Sequence, residues 1–256
     1  MKKEELSNWF RERRRVSVAF SGGTDSAFLL AFAASVLPRN DLLGIIVDSP
    51  LVPRAELNDA LAFAGARDIP VETVCFNPLS LPVFSENPPD RCYRCKHEMM
   101  NAIIVKAIDC GFEFLADGTN ADDKADERPG QQALRELGVS SPLQELGITK
   151  IEIREWSREM NLPTADKASQ ACLATRIPNG IPVTAEKLMS AEKEEALLHE
   201  LGFAQCRARQ LPHSVSIEVS ADKLGEARAR WNEISIRLSA VSPSSVSLAK
   251  KPYGEK

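Results

Sequence analysis

The chain has 256 residues, a formal net charge of −4, and a composition that is 43% hydrophobic and 27% charged. This balance is typical of a folded protein with one large domain or two unequal ones, and it excludes a disordered chain. The acidic balance lacks the basic excess of nucleic-acid-binding proteins, so we expect no nucleic-acid partner.

The first predicted element is an amphipathic helix over residues 4–15, with Leu6, Trp9 and Phe10 facing inward. No apolar core of a signal peptide occurs in this segment, and no run in the chain is apolar enough to cross a bilayer. Six cysteines without a secretory signal are typical of reduced thiols. We therefore expect a cytoplasmic protein without a membrane partner.

An apolar strand over residues 16–20 leads into a glycine turn, and an alanine- and leucine-rich helix follows over residues 25–37. Adjacent glycines let backbone N–H groups approach a ligand, and a helix start favours an anion. The alternative is an ordinary strand–turn–helix joint with N-caps. The pattern favours a phosphate-binding loop formed by Ser21, Gly22, Gly23, Thr24, Asp25 and Ser26.

Short apolar runs then alternate with longer helical segments. Strands are predicted at residues 42–47, 71–75 and 114–116, and helices at 54–64, 96–109 and, after a capping box that starts at Thr149, up to about residue 160. This alternation predicts a doubly wound, mostly parallel α/β sheet, in which ligands bind beyond the carboxyl ends of the strands.

Polar residues follow two of these strands. Asp48 ends the second strand, and Asp117, Gly118 and Thr119 follow the fourth. Carboxylates at that edge suit Mg²⁺ bound to phosphates, although Asp/Asn/Gly turns are common without a ligand. The charged segment 124–130 is predicted to be a mobile loop over this edge.

The C-terminal segment has a different pattern. A helix is predicted over residues 184–201, strands at 204–210 and 214–220, a helix at 222–238 and a short strand at 246–248. We therefore predict a domain boundary near Pro182. Residues 1–182 would form an ATP-binding domain, and residues 183–256 would form a small α/β domain. Arg207 and Arg209 are two apart on a strand and share one face, which suits a substrate phosphate.

The cysteines fall into two groups. Cys92 and Cys95 form a Cys-x-x-Cys just before a predicted helix, and Cys172 stands alone in a later loop. The pair is compatible with a redox couple, half of a zinc site or part of an iron–sulfur site. Cys75, Cys110 and Cys206 lie in apolar settings and are predicted to be buried packing residues.

The Ser-Gly-Gly-Thr-Asp-Ser sequence at residues 21–26 resembles the PP-loop of the ATP pyrophosphatases, whose fold is adenine nucleotide alpha hydrolase-like. The chain has no Walker-type Gly-x-x-x-x-Gly-Lys-Ser/Thr sequence. The resemblance implies an enzyme that uses ATP to adenylate a carboxylate, amide or base carbonyl and releases pyrophosphate.

Three motifs, at residues 89–96, 117–120 and 171–177, are together similar to those of the LarE family. This family makes the thiolated pyridinium mononucleotide that precedes a nickel-pincer nucleotide cofactor. The resemblance implies adenylation of the carboxylates of pyridinium-3,5-biscarboxylic acid mononucleotide with ATP and Mg²⁺, followed by conversion to thiocarboxylates. It also implies a homo-oligomer, since family members form hexamers.

The resemblance implies two alternatives for the sulfur. Some members sacrifice the sulfur of a cysteine at the position of Cys172. Others hold a [4Fe-4S] cluster, which accepts sulfide from a donor, with cysteines at the positions of Cys92, Cys95 and Cys172. The same resemblance gives catalytic roles to Asp25 and Arg176. It also implies a site near subunit contacts, lined by Arg207, Arg209, Glu195 and Glu218, at which the two glutamates are candidate metal ligands. Asp25 and Asp117, at the carboxyl edge of the predicted sheet, are the candidates for Mg²⁺.

Two other classes of function stay open on the sequence. The first is another PP-loop adenylating enzyme that forms an amide or thiolates tRNA, although the acidic charge disfavours tRNA. The second is a module that senses ATP without catalysis. Structural zinc at Cys92 and Cys95 is a further alternative to the cluster.

Overall fold

The computed structural model describes residues 1–123, 129–168 and 171–253, and only the backbone of Pro129. The predicted loop over residues 124–130 lies mostly outside this part of the chain. The helices, in chain order, are α1 (Lys2–Arg13), α2 (Thr24–Val36), α3 (Arg54–Gly65), α4 (Pro82–Glu86), α5 (Arg91–Asp109), α6 (Pro129–Glu136), α7 (Pro142–Glu145), α8 (Lys150–Glu159), α9 (Ala185–Glu200), α10 (Leu224–Ala229) and α11 (Trp231–Ser239). The strands are β1 (Val16–Ala19), β2 (Leu42–Asp48), β3 (Val71–Cys75), β4 (Phe114–Ala116), β5 (Cys206–Gln210), β6 (Ser214–Val219) and β7 (Ser245–Leu248).

The chain divides into two compact units. The first unit comprises residues 1–76 and 90–170, and the second comprises residues 77–89 and 171–256. Within the first unit, the strands form one sheet in the order β3-β2-β1-β4, and every pair in it is parallel. The parallel arrangement brings the carboxyl ends of all four strands to the same edge, as the sequence predicts.

Both faces of this sheet are covered. Side chains that alternate along β1 and β2 belong to two different apolar clusters: Val16 and Val18 pack with α1, α2, α3 and α8, while Leu43 and Ile45 pack with α5 and α6. Strands buried on both faces need continuous apolar sequence, which β2 supplies. The predicted doubly wound α/β sheet is therefore confirmed.

The second unit contains a small mixed sheet in the order β5-β6-β7. Strand β5 pairs antiparallel with β6, and β6 pairs parallel with β7. Cys206, Ala208 and Ile217 point to an apolar cluster that includes residues of α9, α10 and α11. The helix predicted over 222–238 is divided at Arg230, which ends α10 and precedes α11.

The division into units differs from the predicted boundary at Pro182, which falls inside the second unit. Backbone hydrogen bonds account for this difference, since Gly180 N donates to Asn87 O at 2.9 Å and Val183 N donates to Phe84 O at 2.9 Å. The segment 77–89 is thereby joined to residues about ninety positions later in the sequence.

Two predictions about the cysteines are wrong. Cys75 is exposed and Cys110 is half-buried, because β3 is an edge strand and Cys110 caps the end of α5, whereas Cys206 is buried as predicted. Helix α5 begins at Arg91, so Cys92 and Cys95 lie within its first five residues rather than before it. In the part of the chain that is described, no helix is long and apolar enough to cross a membrane.

Candidate functional site: the glycine loop and the cysteine segments

The loop between β1 and α2 has the conformation that its glycines allow. Gly22 has φ +75°, and a Cβ atom there would lie 2.6 Å from Ala60 Cβ in α3. The Ser21 and Ser26 hydroxyl oxygens are 3.0 Å apart, and Ser21 N donates to Ser26 Oγ at 3.2 Å. The loop therefore closes on itself at the start of α2, where backbone N–H groups and the helix dipole favour an anion.

The loop after β4 packs against the same helix start. A Cβ atom on Gly118 would lie 2.8 Å from Ser26 N. The buried Asp117 carboxylate accepts hydrogen bonds from Thr119 Oγ1 at 2.6 Å, Ser141 Oγ at 2.6 Å and Thr119 N at 3.3 Å. Both Asp117 oxygens are engaged in these bonds, an arrangement that favours a structural role over magnesium binding.

The predicted carboxylates Asp25 and Asp48 each pair with a cation. Lys150 Nζ lies 2.6 Å from Asp25 Oδ1, and the Arg54 guanidinium is paired with the carboxylate of Asp48. The Asp25 side chain keeps 23% exposure. Among the carboxylates predicted to hold magnesium, Asp25 therefore fits this role better than the buried Asp117.

Lys150 and Lys167 contact the loop, and neither is part of the predicted site. Lys167 Nζ lies 3.3 Å from Gly22 O and 2.6 Å from Glu56 Oε2, and Lys167 O accepts from Thr24 Oγ1 at 3.3 Å. The sequence analysis did not identify Lys150 or Lys167. The one feature that could have indicated them is the absence of a Walker lysine, because a phosphate loop without its own lysine needs a cation from elsewhere.

The Cys-x-x-Cys pair lies in the first unit, within the first five residues of α5. Cys92 is exposed and Cys95 is half-buried, and their spacing places both on one helix face. Arg91 Nη2 lies 3.8 Å from Cys92 Sγ. The helix N-terminus and this guanidinium both place positive charge beside the sulfur of Cys92.

Cys172 lies in the second unit, where it is exposed and precedes the 3₁₀ turn Leu173–Arg176. Arg176, which is 0% exposed, holds this segment through hydrogen bonds from Nη1 to Ala171 O at 2.6 Å and Cys172 O at 3.1 Å. Its Nε and Nη2 donate to the two Glu195 oxygens at 2.8 and 2.7 Å, and Glu195 Oε1 also accepts from Ala208 N at 3.0 Å. Arg176 therefore positions the segment that carries Cys172.

Arg207 and Arg209 share one face of β5, as predicted, and both already have protein partners. Arg207 is buried, stacks over the Tyr253 ring at 4.5 Å and donates to its hydroxyl at 3.0 Å. Arg209 donates to Glu218 Oε1 at 3.1 Å and to Thr175 O at 2.7 Å. Burial, together with nearby Arg176, lowers the pKa of the Arg207 guanidinium from its usual range.

Within the described residues, no three His, Cys, Asp or Glu side chains are grouped so as to hold a metal ion. Glu195 and Glu218 are each occupied by an arginine. The thiol groups of Cys92 and Cys95, in the first unit, and of Cys172, in the second, have the chemistry that iron–sulfur clusters require.

No protein-family model matches the sequence. The chain is 39% identical over 223 residues to the uncharacterized protein slr1717 of Synechocystis sp., covering 87% of this chain and 83% of that protein. It is 29% identical over 225 residues to the pyridinium-3,5-bisthiocarboxylic acid mononucleotide synthase of Lactiplantibacillus plantarum, covering 88% of this chain and 82% of the synthase.

A more distant similarity concerns the nucleotide-binding fold. The chain is 25% identical over 164 residues to the argininosuccinate synthase of Natronomonas pharaonis, covering 59% of this chain and 40% of that enzyme. The parallel sheet, the glycine loop at its carboxyl edge and these similarities agree with a PP-loop α/β fold. The chain belongs to the LarE family of the PP-loop ATP pyrophosphatase superfamily.

Proposed function

We propose that this protein is an ATP-dependent sulfur transferase that converts the carboxylates of pyridinium-3,5-biscarboxylic acid mononucleotide to thiocarboxylates. The similarity to the Lactiplantibacillus plantarum synthase over most of both chains supports the sulfur transfer. The observation that carries the use of ATP is the loop 21–26, where Gly22 is at φ +75° and leads into the start of α2.

The first step would be adenylation. A substrate carboxylate oxygen attacks the α-phosphorus of ATP, and the bond to the bridging oxygen breaks so that pyrophosphate leaves. The loop N–H groups would bind the phosphates, and Asp25 would hold a Mg²⁺ ion that offsets the charge on the departing pyrophosphate. Asp48, Gly118 and Thr119 would line the nucleotide site at the same edge of the sheet.

The second step replaces the adenylate by sulfur. A sulfur nucleophile attacks the acyl carbon, and the bond to the AMP oxygen breaks so that AMP leaves. The exposure of Cys92 and Cys172 supports a sulfur source at the cysteines. We favour a [4Fe-4S] cluster, held by Cys92, Cys95 and Cys172, that would supply a sulfide. In the alternative, the Cys172 sulfur attacks and forms a thioester. Loss of the Cys172 α-proton then breaks its Cβ–Sγ bond, which leaves the sulfur on the substrate and dehydroalanine in the chain.

The second unit would bind the phosphate of the mononucleotide through Arg207 and Arg209. Arg209 is the better placed of the two, because its side chain is 33% exposed whereas Arg207 is buried against Tyr253. Assembly into a homo-oligomer, a cytoplasmic location and dependence on an external sulfur donor stay predictions from the sequence.

Pyrophosphate release from ATP, with and without the mononucleotide, tests the adenylation. We expect release that depends on the mononucleotide, and we expect Asp25→Ala and Ser26→Ala to abolish it while the circular dichroism spectrum stays unchanged. Glu159→Ala, an exposed residue of α8, is a control that should keep wild-type release. Release that requires tRNA or an amine acceptor instead would identify one of the other PP-loop enzymes, and ATP binding without release would identify a sensor.

Iron content and protein mass separate the two sulfur sources. With a cluster, anaerobically reconstituted protein binds iron, and alanine at any of Cys92, Cys95 or Cys172 reduces both iron binding and sulfur transfer. With a sacrificed cysteine, Cys172→Ala alone abolishes transfer, and one turnover lowers the protein mass by that of H₂S. Iron-free, colourless protein after reconstitution would contradict the cluster.

A further inference from the structure

Two carboxylates lie at the phosphate loop, which lacks a lysine of its own. Asp25 lies within it, and Glu56 is held beside it through Lys167. A bound triphosphate adds further negative charge at the same place. Like charges at such short range disfavour binding unless cations offset them, and the helix dipole offsets only about half a unit charge. The site therefore requires cationic side chains from other parts of the first unit.

Lys150 meets this requirement from the start of α8. The Thr149–Glu152 capping box holds the helix start, and Lys150 N donates to Asp122 Oδ2 at 2.7 Å. The backbone of Lys150 is thus fixed independently of its side chain, whose ammonium reaches Asp25 at 2.6 Å. Its side chain is 30% exposed, which leaves the ammonium accessible to a ligand.

Lys167, in the segment after α8, supplies a second cationic side chain to the phosphate loop. Its ammonium lies 3.3 Å from Gly22 O and 2.6 Å from Glu56 Oε2, while its carbonyl accepts from the Thr24 hydroxyl. The side chain and backbone of Lys167 therefore contact two consecutive parts of the loop, before and after Gly23. An ammonium in this position can turn from a carbonyl and a carboxylate toward a phosphate oxygen.

We propose that Lys150 and Lys167 bind the β- and γ-phosphates of ATP and the pyrophosphate that leaves, in place of a Walker lysine. This inference rests on the proposed use of ATP. On binding, Lys150 exchanges Asp25 for a phosphate oxygen, which leaves the Asp25 carboxylate free for Mg²⁺. Lys167 makes the corresponding exchange from Glu56. Neither lysine belongs to the sequence motifs that define the predicted site.

The two ion pairs contribute little to folding, so the test variants are expected to fold. Solvent screens ion pairs between partly exposed side chains, and such pairs usually add little measurable stability. Lys106 offers a matched control in the first unit, because its ammonium pairs with Glu72 at 2.9 Å and its side chain is 33% exposed.

Isothermal titration of ATP, pyrophosphate and AMP into the full-length chain tests the proposal. We expect Lys150→Ala and Lys167→Ala each to weaken ATP and pyrophosphate binding about tenfold or more, the usual effect of losing a charge-assisted hydrogen bond. AMP lacks the β- and γ-phosphates, so its affinity should stay within about twofold of wild type by the same reasoning. Lys106→Ala should leave all three affinities unchanged.

Three outcomes would overturn the assignment. The first is wild-type affinity for ATP and pyrophosphate in the lysine variants, and the second is an equal loss of AMP affinity, which would mean that the lysines only shape the loop. The third is full recovery of ATP affinity in the Asp25→Asn/Lys150→Ala double variant, which would mean that Lys150 only neutralises Asp25.

The wild-type titration distinguishes this inference from the proposed function. Wild-type protein that binds neither ATP nor pyrophosphate would contradict both. Wild-type protein that binds ATP through the lysines but transfers no sulfur would contradict the proposed function alone.

Discussion

At the scale of single residues, the glycine loop over residues 21–26 depends on a backbone conformation that only glycine adopts easily. Gly22 combines φ +75° with the close approach of Ala60, so a side chain there is opposed by both backbone strain and a clash. Gly23 has a different environment, since a Cβ atom at that position would meet only Ser21 Oγ at 3.5 Å. The two adjacent glycines therefore have different physical roles.

We expect Gly22→Ala to destabilise the protein by about 2–5 kcal/mol, from the left-handed conformation and from overpacking against α3. Gly138→Ala is the matched control, because Gly138 has φ +69° and open space around its Cα. Gly138→Ala should lower the free energy of unfolding only by the cost of the left-handed conformation, about 1–2 kcal/mol. Urea denaturation measures both, and equal losses in the two variants would exclude the clash with Ala60.

Thiol labelling should separate the cysteines by burial. Burial, with a contribution from Glu195, raises the pKa of the Cys206 thiol to about 12, so almost no thiolate forms near neutral pH. In native, iron-free protein we expect iodoacetamide to modify Cys75, Cys92 and Cys172 and to spare Cys206. Mass spectrometry of the labelled peptides measures the extent of modification at each cysteine. Denatured protein is the control, in which Cys206 should react. Rapid native labelling of Cys206 would contradict its placement in the core.

At the scale of elements, α9 organises the second unit through two adjacent buried glutamates. Glu195 joins the 3₁₀ turn at Arg176 to the free edge of β5, while Glu194 accepts from Ser190 Oγ at 2.8 Å and Gln210 Nε2 at 2.7 Å. Buried charges are tolerated when they are paired and fully hydrogen-bonded. Glu195 satisfies this condition with a guanidinium, whereas Glu194 has neutral partners.

Arg176→Lys should destabilise the second unit by about 2–5 kcal/mol, because one ammonium cannot replace a bidentate guanidinium at a buried carboxylate. Hydrogen exchange of residues 206–210 and of the turn after Cys172 should quicken. Arg158→Lys is the control, since the Arg158–Asp166 pair is exposed and screened by solvent, so that weakening it should barely change stability. Similar losses at the two arginines would show that burial does not strengthen the Arg176–Glu195 interaction.

Glu194 should make stability depend on pH. Burial raises its pKa from the ordinary value of 4.5, against hydrogen bonds from Ser242, Ser190 and Gln210 that lower it. The native state therefore holds this proton more tightly than the unfolded chain. The resulting stability is fully present below pH 4.5 and is lost as the pH rises through the native pKa.

The free energy of unfolding, measured from neutral to acidic pH, should thus shift in favour of wild type over Glu194→Gln as the pH falls. The exposed Glu200 lies on the same helix, and Glu200→Gln reports any general effect of losing a charge from α9. A difference between wild type and Glu194→Gln that does not change with pH would contradict this prediction.

At the scale of the whole molecule, the second unit is assembled from two segments that are far apart in sequence. Asn87 joins them: it is 0% exposed, has φ +49°, and its Nδ2 donates to Pro178 O at 2.8 Å and Ile181 O at 2.7 Å. Asparagine suits this position because it tolerates the left-handed conformation and supplies side-chain donors.

Asn87→Ala should therefore destabilise the second unit by roughly 2–4 kcal/mol, through the strained conformation and the lost hydrogen bonds. Exchange of the amide protons of residues 179, 180, 181 and 183 should quicken most. Asn161→Ala, at an exposed position with φ +52°, should cost only about 1 kcal/mol. If Asn87→Ala behaves like this control, the hydrogen bonds to residues 178 and 181 contribute nothing.

The sequence by itself determined the doubly wound sheet and the glycine turn between β1 and α2, because both depend on local patterns. Apolar runs and glycine preferences act over a few neighbouring residues, so the strands at 71–75 and 114–116 and the Thr149 capping box were confirmed. Only the tertiary structure decided which charges meet. Lys150 and Lys167 reach the loop from about 125 and 145 positions away, and Arg176 meets Glu195 within the core. Such pairings depend on how helices and strands pack, and no local pattern encodes a partner that only packing brings within a few ångströms.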